Sequence, residues 1–206
     1  DNMKPLYMIG CVNEIGKRQK ADNVSGLLGE SGFREYMNQL DTPLETGYLL
    51  RIGIDHFKEI NDNFGQEYGD FVLKKTAECI SGCTSEGQKV YKLVADEFLI
   101  LDVASDEAKD ADKLYDKVRE AIDRFIETNE FKVMYTVSGG IVPFAALKGN
   151  QYAEALKLTD FTLNEAKKLG RNRCYIFNGE TYRKFLRKRE ITQELREAVI
   201  NGFQGF

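Results

Sequence analysis

The stretch Gln88 to Val103, QKVYKLVADEFLILDV, predicts two apolar β-strands joined by a reversal at Val94 to Glu97. Because both arms are largely apolar, they are typical of central strands that helices cover on at least one face. The reversal carries two adjacent carboxylates, Asp96 and Glu97, at its tip. A rigid core would therefore hold two acidic side chains at a place where chemistry can occur.

The composition indicates one domain of ordinary size with extensions. The chain has 206 residues, enough to bury a core without disulfides or a structural metal. Its 29 basic and 33 acidic residues nearly balance, for a formal net charge of −4. We therefore expect neither a nucleic-acid polymer nor an anionic membrane as a partner, since the overall charge attracts neither.

The cysteines and the hydropathy pattern indicate a cytoplasmic fragment. Cys11, Cys79, Cys83 and Cys174 contain no C-x-x-C pair and are too sparse for a secreted disulfide framework. Cys79 and Cys83 are one helical turn apart, but a core or surface role is favoured over a metal site because the single histidine, His56, lies elsewhere. No apolar run long enough to span a membrane appears. The full-length protein can still be membrane-anchored through another segment.

Periodic patterns predict alternating strands and helices along the rest of the chain. Tyr48 to Ile54 is predicted as the first core strand, with Asp55 after it as a helix N-cap. Apolar stripes at helical spacing predict amphipathic helices before and after the hairpin. Phe131 to Phe144 and Cys174 to Phe177 are predicted as further strands, and Gln151 to Gly170 as a helix that ends at a glycine.

Several motifs resemble those of GGDEF domains, the diguanylate cyclase family. The hairpin tip V-A-D-E-F matches three of the five signature residues. The segment Gly53 to Asp70 resembles the family's D-x-D-x-F-K-x-I-N-D-x-x-G-x-x-x-G-D run and agrees with it at nine positions. Ala166 to Asn172 matches A-K-x-x-G-R-N, and Asp22 to Phe33 resembles the motif that opens the domain.

This resemblance implies the fold of class III nucleotidyl cyclases. That fold is an α/β (α+β), palm-like architecture with a central, mainly antiparallel sheet wrapped by helices in the order β-α-α-β-β-α-β. We predict residues 1–21 as the end of a preceding PAS-type sensor domain and a signalling helix, 22–178 as the GGDEF domain, and 179–206 as a linker helix toward an EAL-like domain. A tail packed on the domain remains an alternative for the first segment, and a plain C-terminal helix for the last.

The resemblance also implies a nucleotide site with Mg²⁺. It assigns catalytic roles to Asp96 and Glu97, and metal binding to Asp96 and Ile54. The implied nucleotide-binding residues are Phe57, Lys58, Asn61, Asp70, Lys167 and Arg171. In that assignment Asn61 and Asp70 read guanine, since a carboxylate can accept hydrogen bonds from its N1–H and N2–H₂ groups. The cationic residues, together with the N-terminus of the helix that starts near His56, would hold the phosphates.

Three positions depart from the family pattern and predict a damaged cyclase site. Gly53 stands where the first metal-binding aspartate belongs, so we expect Mg²⁺ to bind weakly or not at all. Val94 and Ala95 replace the two signature glycines. We expect them to disfavour a positive φ and to crowd the sugar and base. The family's R-x-x-D feedback site is also missing, because Ser85 and Gln88 occupy those positions.

These features predict a degenerate GGDEF domain of a bacterial cyclic-di-GMP signalling protein. We expect it to lack cyclase activity, to bind GTP and to regulate an attached phosphodiesterase domain, with a homodimer as its functional form. Two alternatives stay open at this point. One is an active diguanylate cyclase that converts two GTP to cyclic-di-GMP despite its altered signature, and the other is a dimerisation scaffold without a ligand.

Overall fold

The computed structural model describes residues 21–40, 44–105, 108–128, 133–148 and 152–200. The predicted sensor-domain segment, residues 1–21, lies outside the described residues except for Ala21. The elements are β1 (Leu28–Gly29), α1 (Glu30–Asn38), β2 (Tyr48–Ile54), α2 (Phe57–Phe64), α3 (Gln66–Cys83), β3 (Lys89–Lys92), β4 (Glu97–Asp102), α4 (Ala108–Thr128), β5 (Val137–Pro143), α5 (Tyr152–Lys168), β6 (Cys174–Ile176) and α6 (Gly179–Ile200).

The described strands form one sheet in the order β1-β3-β4-β2-β5-β6. The four central strands pair antiparallel, while β1 lies parallel to β3 and β6 lies parallel to β5 at the two edges. The run from β2 to β5 has the predicted order β-α-α-β-β-α-β. The predicted palm-like α/β (α+β) architecture with a mainly antiparallel centre is therefore confirmed.

Helices cover both faces of the sheet. Strand β2 is therefore buried on both sides. Leu50, Ile52 and Ile54 join the main apolar cluster with residues of α3 and α4. Arg51 and Gly53 point to the opposite face, since successive side chains of a strand alternate. Arg51 Nη1 donates a hydrogen bond to the carbonyl oxygen of residue 156 in α5, at 3.3 Å. Helix α5 therefore covers the face of β2 that carries Arg51.

Helix α5 approaches strand β5 very closely at Gly140. A Cβ atom at this position would overlap the backbone nitrogen of Leu163 and lie 2.7 Å from the carbonyl carbon of Thr162. Only glycine permits this backbone-to-backbone approach. The contact fixes the height of α5 above the sheet, and with it the position of Lys167 near the helix C-terminus.

The predicted hairpin and first core strand are confirmed, and one predicted cap is wrong. Strands β3 and β4 enclose a turn at residues 93–96, and β2 has the predicted bounds. The residue before α2 is His56, at φ 58°, and no side chain caps that helix. Asp55 is buried and accepts hydrogen bonds from Thr136 Oγ1 and Ser138 Oγ, both at 2.7 Å, and from Asn172 N at 3.1 Å. The carboxylate thus ties β2 to β5 and to the loop after α5.

The chain divides into two units, one ending at Ile176 and the other beginning at Phe177. In the second unit, Asn178 Oδ1 accepts hydrogen bonds from the backbone nitrogens of Glu180 and Thr181, both at 3.0 Å, and so caps α6. No side chain of α6 is buried. The predicted helix is present, and its role as a linker stays a prediction. None of the described helices combines the length and the apolar character that a membrane span requires.

Candidate functional site

The hairpin tip keeps a left-handed turn although it lacks the family's glycines. Ala95 has φ 54°, whereas Val94 does not lie in the left-handed region. Lys92, which is 5% exposed, donates hydrogen bonds from Nζ to the carbonyl oxygens of Leu93, at 3.1 Å, and Ala95. The expectation that Ala95 would deny this conformation is wrong, because alanine adds only one carbon atom and the ammonium group stabilises the turn.

Replacing Ala95 by glycine is expected to raise the free energy of unfolding by about 0.5–1 kcal/mol. The left-handed conformation costs an L-residue about 1–2 kcal/mol, and the more flexible unfolded chain of the glycine variant offsets part of that gain. Urea unfolding measures the difference. Val94→Gly is the matched control and should give no gain, since Val94 has an ordinary φ. Equal effects of the two substitutions would contradict this account of the turn.

The carboxylate of Glu97 is held by two cations. Its Oε2 atom accepts hydrogen bonds from Arg51 Nε, at 2.7 Å, and from Arg51 Nη2. Its Oε1 atom lies 3.9 Å from Lys167 Nζ. The side chains of Arg51, Glu97 and Lys167 are 11%, 18% and 25% exposed. We call these three residues the charge cluster; it lies between the sheet and α5.

The ammonium group of Lys167 lies beside Gly53. A Cβ atom at Gly53 would be 3.1 Å from Lys167 Nζ, so the lysine reaches the space into which a side chain at position 53 would extend. Asp96 lies next to this space, and its carbonyl oxygen accepts a hydrogen bond from Ile54 N at 3.3 Å. Burial raises the pKa of the Asp96 carboxyl group, an effect that Lys167 and Lys92 oppose. The tip therefore brings carboxylates and ammonium groups together in a partly desolvated place.

These residues do not fit Mg²⁺. The ion binds several oxygen atoms in near-octahedral geometry and favours carboxylates. Glu97 is already bound by Arg51, Ile54 is buried and offers only its backbone carbonyl, and the Lys167 ammonium would repel a cation next to Asp96. Within the part of the chain that the structure describes, no group of three or more His, Cys, Asp or Glu side chains could hold a metal ion.

A second part of the site surrounds Gly69, where α2 and α3 meet. A Cβ atom at Gly69 would overlap Asn61 Oδ1 and lie 3.3 Å from Phe57 Cζ, so the glycine admits both side chains. Asn61 Oδ1 is buried, and no described group donates a hydrogen bond to it. A buried acceptor without a donor is costly, and a donor from a ligand would remove that cost. Asp70 is the next residue along α3 and is partly exposed.

Two predicted phosphate-binding residues lie at the surface. Lys58 is exposed in the first turn of α2. Arg171 is exposed after α5, at φ 60°, and its backbone nitrogen donates to Ala166 O at 3.2 Å. Their contact with a ligand stays a prediction. The structure thus gathers Asp96, Glu97, Lys167 and Ile54 at the tip, and Phe57 and Asn61 around Gly69 with Asp70 adjacent.

Sequence reasoning did not assign Arg51 or Lys92 to the site. Arg51 interrupts an otherwise apolar strand, and a charged residue in such a place is buried only when it is paired. The predicted alternation of β2 also placed Arg51 and Gly53 on one face. The partner was not identifiable, because it depends on the register that sets Gly53 opposite Glu97 across β2 and β4.

The overall architecture is similar to that of solved nucleotidyl cyclase domains. One is the crystal structure of the coiled coil and GGDEF domain of DgcB from Caulobacter crescentus in complex with c-di-GMP. The two structures align with a TM-score of 0.69 at 19% sequence identity, over 83% of this chain and 92% of that chain. At this identity the similarity concerns the fold, which is the palm-like fold of this class of proteins.

The sequence comparisons identify the family within that class. The family profile described as "Diguanylate cyclase, GGDEF domain" matches residues 20–173, and the chain belongs to this family. The cyclic di-GMP phosphodiesterase NbdA of Pseudomonas aeruginosa is 27% identical over 183 residues, which are 86% of this chain and 23% of NbdA. The diguanylate cyclase VdcA of Vibrio cholerae is 28% identical over 179 residues, 84% of this chain and 52% of VdcA. The chain thus spans about a quarter and about half of these relatives.

Proposed function

We propose that this chain is a catalytically silent GGDEF domain that binds GTP and regulates an attached phosphodiesterase domain. The observation that carries the proposal is the ion pair between Glu97 and Arg51, which commits the carboxylate of the signature to a cation of the chain itself. A metal ion or a substrate could reach a carboxylate held in this way only by displacing the guanidinium. The Arg51–Glu97 ion pair does not involve Asn61 or Asp70, the polar groups around Gly69.

Guanine fits the polar groups around Gly69. Asn61 Oδ1 on α2 is a buried acceptor without a donor among the described groups. Asp70 on α3, the residue after Gly69, adds a carboxylate. Guanine presents N1–H and N2–H₂ donors to such acceptors, and adenine lacks this pair of donors on the corresponding edge. The site should therefore prefer GTP over ATP.

Cations around the tip would offset the charge of the phosphates. Lys167 keeps part of its side chain accessible, while Lys58 and Arg171 are exposed. Each hydrogen bond to a charged group contributes about 1.5–3 kcal/mol. The bulk of Val94 and the lack of a metal oppose binding. We therefore expect micromolar to millimolar affinity, about −8 to −4 kcal/mol.

The regulated partner is proposed from the relatives and from α6. NbdA carries the name of a cyclic di-GMP phosphodiesterase and is about four times longer than the matched region, since the match covers 23% of it. Helix α6 follows the domain directly and has no buried side chain, as suits a connecting element. We propose a homodimer as the functional form, located in the cytoplasm where GTP is available.

Replacing Asp70 by alanine is expected to weaken GTP binding about tenfold, which corresponds to about 1.4 kcal/mol, and to abolish the preference for GTP over ATP. Isothermal titration calorimetry with both nucleotides measures the two effects. Asp62→Ala is the matched control, because Asp62 is an exposed aspartate on α2. Unchanged GTP affinity and unchanged base preference in Asp70→Ala would show that the proposed base pocket is wrong.

A further inference from the structure

We propose that Arg51 and Lys167 supply the positive charge that a divalent metal ion would bring, so that this site excludes the ion and binds its nucleotide without metal. The identity of the nucleotide rests on the proposed function. The exclusion of the metal rests on the charge cluster and on Gly53, which brings no carboxylate to the site.

Glu97, the second carboxylate at the tip, is already bound by Arg51, so a metal ion could gain it as a ligand only by displacing the guanidinium. The guanidinium donates twice to Oε2, and both side chains are mostly buried. Without Glu97, the guanidinium would keep the carbonyl oxygen of residue 156 and the more exposed Asp160, whose Oδ1 lies 3.6 Å from Nη2. Removing one partner from a buried ion pair is strongly unfavourable. Glu97 is therefore not free to bind a metal ion.

The space next to Gly53 already holds an ammonium group. Lys167 Nζ is 3.1 Å from the position of a Cβ atom at Gly53 and 3.9 Å from Glu97 Oε1. A divalent cation placed between Gly53 and Asp96 would lie close to this positive charge in a partly desolvated region, where like charges repel more strongly than in water. The carboxylates at the tip are thus already neutralised by side chains.

The paired Glu97 and the ammonium group beside Gly53 together favour a nucleotide that carries no metal ion. Lys167 is the most accessible member of the charge cluster and is the group that would meet a phosphate oxygen at the tip. A lysine ammonium is a compact point charge that binds phosphate well. Metal-free nucleotide therefore suits the site at least as well as its magnesium complex.

Manganese titration of the nucleotide-free protein tests the exclusion directly. The free Mn²⁺ signal in electron paramagnetic resonance reports binding, and we expect a Kd above about 1 mM for the wild-type chain, as for a site with too few carboxylates. The double variant Gly53→Asp with Lys167→Met adds a carboxylate and removes the ammonium, and it should bind Mn²⁺ at least about tenfold more tightly. Lys168→Met removes an exposed lysine from the next position and should change nothing.

A wild-type Kd below about 1 mM for Mn²⁺ would overturn the proposal, because free carboxylates would then have to be available. A folded double variant that gained no affinity would overturn it as well. If the double variant does not fold, the wild-type titration alone decides whether the site excludes the metal ion.

Calorimetric titration of GTP, in EDTA and in excess Mg²⁺, tests the form of the nucleotide. We expect the two Kd values to agree within about twofold, or binding to be tighter in EDTA. Affinity that is weaker in EDTA by more than about twofold would overturn the proposal. Absence of binding in both buffers would overturn the proposed function, and the manganese titration would still decide whether the charge cluster excludes the metal.

Discussion

Replacing Arg51 by methionine is expected to lower the free energy of unfolding by about 2–3 kcal/mol. Methionine preserves most of the packing of the arginine stem but leaves the Glu97 carboxylate without its two hydrogen bonds. Lys167, at 3.9 Å, replaces only part of that stabilisation. Urea unfolding monitored by circular dichroism measures the loss.

Two controls separate the ion pair from a general effect of removing an arginine. Arg119→Met breaks an exposed ion pair with Asp116 and should cost less than about 1 kcal/mol. The double variant Arg51→Met with Glu97→Gln should be more stable than the sum of the single losses predicts, by at least about 1 kcal/mol, because the unpaired charge is gone. If Arg51→Met costs no more than Arg119→Met, the charge cluster does not contribute as proposed.

The second large effect concerns catalysis. The wild-type chain, incubated with GTP and Mg²⁺, is expected to form no detectable cyclic-di-GMP. Restoring the three departures from the family pattern, with Gly53→Asp, Val94→Gly and Ala95→Gly, should not suffice, because Arg51 would still bind Glu97. A fourth change, Arg51→Leu, should be required before any product appears. Chromatography of the nucleotide mixture measures the product.

The triple variant, the quadruple variant and the wild type are compared directly. Circular dichroism should show that each is folded before its activity is compared. Product from the wild-type chain would mean that the domain is an active cyclase. Product from the triple variant would mean that Arg51 does not restrain Glu97, although the wild type would remain silent.

The parts of the fold that follow local patterns were predictable from the sequence. Alternation defined β2 at its observed bounds, and two apolar arms around Val94 to Glu97 defined the hairpin. Strand β1 has two residues and pairs with β3 through the backbone, so no side-chain pattern indicates it. Asp55 was misread as a cap because its partners come from segments more than 80 residues away.

The sequence predicted many of the residues that form the site but not how their side chains pair. The motifs placed Asn61, Asp70 and Lys167 in the site, and the structure sets Asn61 close to Gly69. The pairing of Arg51 with Glu97 depends on strand register and on the depth at which α5 packs, which the sequence does not state. The left-handed Ala95 likewise depends on the buried Lys92.

The central claim is that this domain binds GTP and does not convert it. Its most direct test is a calorimetric titration of the wild-type chain with GTP, followed by chromatography of the contents of the cell. The account predicts saturable binding with micromolar to millimolar affinity, about −8 to −4 kcal/mol, and recovery of GTP unchanged. Absence of binding at millimolar GTP, or cyclic-di-GMP in the recovered nucleotide, would contradict it.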